Sequence, residues 1–150
     1  MLIIQATEQD LDQLFEIEET CFSHPWSKDS LRSELGSEHN IFLAAKVEEN
    51  IIGFCLISVI AGEGTILQVA VHPEYRAKGI GKKLTSAAIE QAKELGTEVI
   101  FLEVRVTNTP ARRLYQSLGF EKIDLRKGYY RDGENAIIMQ WREQNENSGN

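Results

Sequence analysis

Arg76, Lys78, Lys82 and Lys83 place four cationic side chains within eight residues that contain no acid, and Gly79 and Gly81 stand among them. A stretch of this kind holds phosphate if it opens a helix, because the first amide N–H groups of a helix lack intrahelical acceptors and the helix dipole adds partial positive charge. Its neighbours supply the helix. Thr65 to Val71 is rich in β-branched residues, and Ala87, Ala88, Ile89, Ala92 and Leu95 then recur at helical spacing before Gly96. Two common phosphate loops are excluded: the Gly-Lys-Ser/Thr ending of a nucleoside-triphosphate loop is missing, as is the third glycine of a dinucleotide fingerprint. The competing reading is a solvated, basic helix start.

Glu103 is the second feature. In Val99 to Val106, alternation puts Ile100, Leu102 and Val104 on one face and Phe101, Glu103 and Arg105 on the other. A carboxylate in an apolar strand needs a partner. Either Arg105, on the same face, forms an ion pair with it, or Glu103 is a general base whose pKa is raised by apolar surroundings. Asn108 suits a helix cap or a ligand contact. Tyr115, with Ala111, Leu114 and Leu118 as its buried face, reads as packing with a polar tip. Tyr129 and Tyr130 form either an edge-strand aromatic pair or part of a substrate wall, and Cys21 lacks a base that would make it a nucleophile.

The elements that must position these groups follow in chain order. Leu2 to Ala6 reads as a strand, Thr7 and Asp10 as a capping box, and Leu11, Leu14, Phe15 and Ile17 as the apolar stripe of a helix. Ser23-His24-Pro25-Trp26 interrupts it, and Ser27 caps a short helix that ends at Gly36. Ile41 to Val47, Ile51 to Ile60 and Thr65 to Val71 form an antiparallel meander, with turns at Glu48-Glu49-Asn50 and Ala61-Gly62-Glu63-Gly64. After the basic loop and its helix come the strand of Glu103, a helix with Thr109 as cap and Pro110 at its first position, and closing strands at Phe120 to Leu125 and Ala136 to Trp141. The total is an α/β (mixed α+β) domain over residues 1–142, with about seven strands in one mixed, mostly antiparallel sheet and about four flanking helices. Residues 143–150 are expected to form a polar, flexible tail.

Composition narrows the function. A chain of 150 residues, 42% hydrophobic and 26% charged, describes one domain with a real core. No apolar run reaches the length of a membrane span, and the first residues lack signal-peptide flanks, so the expected location is cytoplasmic with no membrane contact. Cys21 and Cys55 read as buried thiols. His24, His39 and His72 have no ligand spacing, so no metal is expected. Six of the 23 acids (Glu8, Asp10, Asp12, Glu16, Glu18, Glu19) precede the first Lys or Arg, which leaves 17 acids against 16 bases in the remainder. The acidic first helix is an ordinary solvated face or an attraction for a basic partner, and it argues against nucleic acid.

Taken together these stretches resemble the GNAT superfamily of N-acetyltransferases, whose coenzyme A loop, Arg/Gln-x-x-Gly-x-Gly/Ala, is matched by Arg76, Gly79 and Gly81. The likeness extends to the bacterial RimI type, which acetylates the N-terminal alanine of a small-subunit ribosomal protein. It is carried by Pro25-Trp26-Ser27, Leu102-Glu103-Val104-Arg105, Asn108, Leu114-Tyr115, Gly119-Phe120, Arg126-Lys127 with Tyr129-Tyr130, and Glu134 through Met139. Thr107 and Asn135 depart from the usual Ser and Asp. The resemblance implies a sheet splayed at its middle, acetyl-CoA as co-substrate, direct transfer with Glu103 as base and Tyr115 as acid, and no metal. It implies cofactor contacts at Val69, Ala70 and Val71, at Arg76, Ala77, Lys78, Gly79, Ile80, Gly81 and Lys82, and at Asn108. The expected partner is a basic ribosomal protein N-terminus, and the protein is expected to act as a monomer without binding nucleic acid directly. Acetylation of other N-termini, lysines or a small polyamine is the alternative within the enzyme class, and a non-catalytic acetyl-CoA-binding module is the alternative outside it.

Overall fold

The computed structural model describes residues 1–144; most of the expected tail, residues 145–150, lies outside the described residues. Within the described residues, β1 (Leu2–Gln5), β2 (Asn40–Val47), β3 (Asn50–Ile60), β4 (Glu63–Val71), β5 (Val99–Arg105), β6 (Glu121–Arg126) and β7 (Ala136–Arg142) form one sheet in the order β1-β2-β3-β4-β5-β7-β6. Four α-helices accompany it: α1 (Leu11–Cys21), α2 (Lys28–Leu35), α3 (Ile80–Glu94) and α4 (Thr109–Ser117). Every neighbouring pair is antiparallel except β4 and β5.

That parallel pair opens the sheet. Glu63, Gly64 and Thr65 register with Val99, Ile100 and Phe101, and pairing stops there. A bulge in β4 opposite Leu56 and Ile57 falls at the same level, where an extra residue increases local twist and turns the strand away from its neighbour. The edge of β4 beyond Thr65 therefore has no partner strand on the β5 side.

Two cores hold the opening in place. On one face Ile80, Leu84, Ala88, Ile89 and Ala92 of α3 pack with Ile57, Ile66, Ile100, Leu102, Ile137 and Met139. On the other, Leu11, Leu14 and Ile17 of α1 and Leu31 of α2 pack with Phe42, Phe54, Leu56 and Ala70. Burying a side chain of this size contributes about 1.5–3 kcal/mol, so each helix is fixed by several such residues rather than by its own propensity.

The structure corrects the expected pattern at a few places. The hairpin between β3 and β4 turns on Ala61 and Gly62 alone, both at positive φ, so Glu63 and Gly64 already belong to the strand. Leu95 lies past the end of α3 and is 67% exposed, because the helical stripe stops at Ala92. Phe120 packs into the core just before β6, and β6 itself is exposed along its length as the sheet's edge. Cys55 is buried, with its thiol pushed up to about 12 by desolvation, whereas Cys21 is only half-buried.

Candidate active site

Where β4 and β5 part, a cleft passes through the sheet. Its larger section, about 500 Å³, is bordered by Cys21 at the end of α1 and Phe22, Ser23 and His24 after it, by Gln68 and Val69 of β4, by Glu103 and Arg105 of β5, and by Tyr130. A second section of about 350 Å³ is bordered by Val71, by Arg76, Gly79, Gly81 and Lys82 of the basic loop, and by Pro110 and Leu114 of α4. Val69, Ala111 and Tyr115 border both, so the two sections meet at the split.

The basic loop is shaped to take an anion. Ala77 and Gly79 have φ of 62° and 78°, a left-handed conformation that glycine adopts without strain. Gly79 is the cap of α3, and the first of its neighbours to donate into the helix is Lys83, whose N–H reaches the Gly79 carbonyl at 3.1 Å. Among the described residues the N–H groups from Ala77 to Lys82 have no acceptor. These free donors at the start of a fifteen-residue helix can hold a diphosphate by backbone alone. The cations are less uniform than the sequence implies. Arg76 turns back to donate from Nε to the Val71 carbonyl at 2.9 Å, and Lys78 lies over the Tyr75 ring.

The unpaired edge of β4 supplies further donors. His72 N–H bonds to Ile52 across the β3–β4 pair, so the adjacent Gly53–Val71 pair is a non-hydrogen-bonded one, and Val71 aims its N–H and C=O away from β3. Val69 repeats this two residues earlier. Ala70 faces β3 instead, with its side chain buried.

Glu103 lies on the exposed face of β5, so the apolar enclosure expected around it is absent. The expected Glu103–Arg105 ion pair is not formed either. Arg105 donates at 2.8 Å to both Asp132 and Glu134 and sits 4.0 Å from the Tyr130 ring, because the β6–β7 loop brings two carboxylates and an aromatic face to it. Glu103 has no ion-pair partner among the described residues. It lies beside the paired tyrosines, raising the Tyr129 phenol chiefly through a hydrogen bond. Tyr130 is raised first by burial and then by the same carboxylate.

Tyr115 reaches the split from α4. It is 8% exposed, stacks edge-on against Phe120 at 5.7 Å, and has its phenol pKa driven far above 10, mainly by burial. Its hydroxyl therefore keeps its proton, so it stands as a donor rather than as a base. Asn108, not the expected Thr109, is the cap of α4, accepting from the Ala111 N–H at 3.3 Å, which leaves its amide NH₂ for a ligand. The residues that sequence reading missed are Gln68 and the Phe22–His24 segment, whose one signal was the break in helical pattern before Pro25.

The loop clamp has a pH signature. The Glu134 carboxyl is held below its ordinary value of 4.5 by hydrogen bonds from Arg105 and Thr107, and Asp132 is held down by the Glu134 N–H and Arg105. Lowered folded-state values contribute stability above the unfolded pKa and lose it as pH falls through the folded pKa. The protection of the Tyr130–Glu134 amides, relative to their intrinsic exchange rate, is therefore expected to fall as pH drops below the ordinary carboxylate value of 4.5 while the core of β5 and β7 stays protected.

The acidic first helix is mostly spoken for. Asp12 pairs with Lys28, Glu8 with Arg32, Asp10 accepts from the Thr7 N–H, and Glu18 is fully buried. Only Glu16 and Glu19 of the six lack such a commitment among the described residues.

Comparison with known proteins agrees with this geometry. Residues 11–120 match the model of the family described as acetyltransferase (GNAT) family. The [ribosomal protein bS18]-alanine N-acetyltransferase of Haemophilus ducreyi is 41% identical over 142 residues, covering 92% of this chain and 97% of the relative. That of Escherichia coli K12 is 34% identical over 133 residues, covering 87% and 89%. The crystal structure of the Escherichia coli ribosomal-protein-S18-alanine N-acetyltransferase superposes with a TM-score of 0.88 at 31% identity, covering 97% of both chains. The coenzyme A complex of the PaiA N-acetyltransferase from Thermoplasma acidophilum shares the fold, with a TM-score of 0.82 at 24% identity over 95% of this chain and 98% of that one. An open sheet split between β4 and β5, a helix-capping loop with free amides and relatives that match almost end to end agree: this chain belongs to the acetyltransferase (GNAT) family, among the ribosomal protein bS18-alanine N-acetyltransferases.

Proposed function

We propose that this protein moves the acetyl group of acetyl-CoA directly to the N-terminal α-amine of an alanine on a small-subunit ribosomal protein, in the cytoplasm. The observation that carries the reading is the through-sheet cleft, in which an anion-binding loop serves one section and a carboxylate with two tyrosines serves the other. Donor and acceptor approach from opposite sections and meet at Val69 and Tyr115.

Acetyl-CoA supplies a thioester already activated toward amines. The amides from Ala77 to Lys82 hold its diphosphate, with Arg76 fixing the loop to β4 and Lys78 and Lys82 adding charge. The Val69 and Val71 edge aligns the pantetheine as an added strand would be aligned, Ala70 sets their spacing, and Asn108 offers its amide. This fit turns an encounter into an oriented reaction.

Glu103 takes the proton of the incoming amine, directly or through water. The Val71 N–H stabilises the oxyanion, the Tyr115 hydroxyl gives its proton to the departing sulfur, and the second proton of the attacking nitrogen leaves through water to restore the phenol. Acceptor chemistry favours an N-terminus. An α-amine with pKa near 8 is roughly 10% free base at pH 7, and a lysine amine near 10.4 is about 0.04%. An open carboxylate beside Tyr129 and Tyr130 suits the easier of these two proton transfers.

The direct test is mass spectrometry of unacetylated small ribosomal subunits incubated with the protein and acetyl-CoA. One acetyl group on one N-terminal alanine is the expected outcome. Modification confined to lysine side chains, or to free polyamines in a parallel thiol-release assay, would overturn the acceptor assignment.

A further inference from the structure

We propose that Glu18 is a positioning residue for the acceptor: its buried carboxylate ties the segment between α1 and α2 to β4 and thereby fixes the Phe22–His24 wall of the cleft. The inference rests on the acceptor reading above and deepens it. Glu18 is 0% exposed on α1, and its Oε2 accepts two hydrogen bonds at 2.9 Å, from the Trp26 N–H and from Nε2 of Gln68. Its Oε1 and the Oε1 of Gln68 are buried without partners among the described residues.

Stability alone does not account for this carboxylate. A buried, half-satisfied acid is costly, and burial pushes its pKa up against the two hydrogen bonds that pull it down. No cation pairs with it among the described residues. A packed apolar side chain of similar volume would hold α1 to the sheet as well or better.

What a leucine could not do is join these two pieces of chain. Of the backbone N–H groups from Ser23 to Ser27, that of Trp26 is the one with an acceptor among the described residues. The segment is otherwise held by its junctions with α1 and α2 and by the packing of Phe22 and Trp26 on the core, which leaves Ser23 and His24 without an anchor of their own. Gln68 follows the bulged residue Leu67, at the level where β4 leaves β5, and borders the same cleft section as Phe22, Ser23 and His24. Glu18 thus spans the cleft's acceptor wall and the strand edge that carries Val69 and Val71.

The test compares Glu18→Leu and Glu18→Gln in the full chain, with a peptide bearing a free N-terminal alanine and acetyl-CoA as substrates. Glu18→Leu is expected to raise KM for the peptide about tenfold with KM for acetyl-CoA unchanged, the scale of losing hydrogen bonds to a charged group. Exchange of the Trp26 amide, read without any substrate, should quicken about tenfold. Glu18→Gln can still accept from Trp26 and, with the Gln68 amide turned over, donate to it, so wild-type values are expected.

An unchanged peptide KM in a folded Glu18→Leu variant overturns the proposal, as does a parallel rise in both KM values. A Glu18→Gln variant as impaired as Glu18→Leu would overturn it in favour of a direct charge effect on the amine. Should Glu18→Leu not fold, Gln68→Met must show the same KM split, and its absence counts against the tether. Wild-type turnover of the peptide tests the acceptor reading, whereas Trp26 exchange reads the tether, so the two can fail separately.

Discussion

Exchange of Glu103 for glutamine is expected to lower kcat at pH 7 by about 10²-fold while leaving acetyl-CoA affinity within about twofold. The substitution keeps the side chain's size and an oxygen that can accept from Tyr129, and Glu103 borders the cleft section away from the basic loop. Only the capacity to take a proton is lost. An amine with pKa near 8 deprotonates itself as pH rises, so the deficit should be largest near pH 6 and shrink by about pH 9. Steady-state rates across that range, with calorimetric titration of acetyl-CoA, check both statements. Wild-type kcat in the variant would remove Glu103 as the base.

Tyr115→Phe is expected to reduce kcat by about tenfold to a hundredfold without weakening acetyl-CoA binding. The loss is the smaller of the two because a thiol with pKa near 8.5 leaves fairly readily as thiolate. The phenylalanine ring keeps its edge contact with Phe120 and the burial of the site, so a folding defect is not expected. The pH profile separates this variant from the first. Burial keeps the Tyr115 phenol protonated across the working range, so its deficit should be constant from about pH 6 to pH 9. A tenfold weaker acetyl-CoA affinity with unchanged kcat would make Tyr115 a binding residue instead.

The strands and helices were legible because their signals are local. Apolar or β-branched runs marked β2, β3 and β4 and alternation marked β5, Ser27 capped α2, and the free-amide loop showed itself by Gly79, Gly81 and the absence of acids. Errors fell where distant chain intervenes. Arg105 looked like a partner for Glu103 because both lie on one strand face, yet Asp132 and Glu134, brought by a hairpin nearly thirty residues on, take it. Glu18 looked like one more surface acid, yet Trp26 and Gln68 draw it into the core.

Sequence alone determined the order of elements and the glycine-containing basic loop that opens α3, since period, capping and turn chemistry act over a few residues, whereas Glu103 and Tyr115 as base and acid came from the family resemblance. Tertiary structure alone decided that β4 and β5 part after three paired residues, that the resulting cleft runs through the sheet, and which charges are left free to face it. The reason is physical: a bulge's twist, a buried carboxylate's partners and the competition for Arg105 depend on groups that only folding brings within hydrogen-bonding distance.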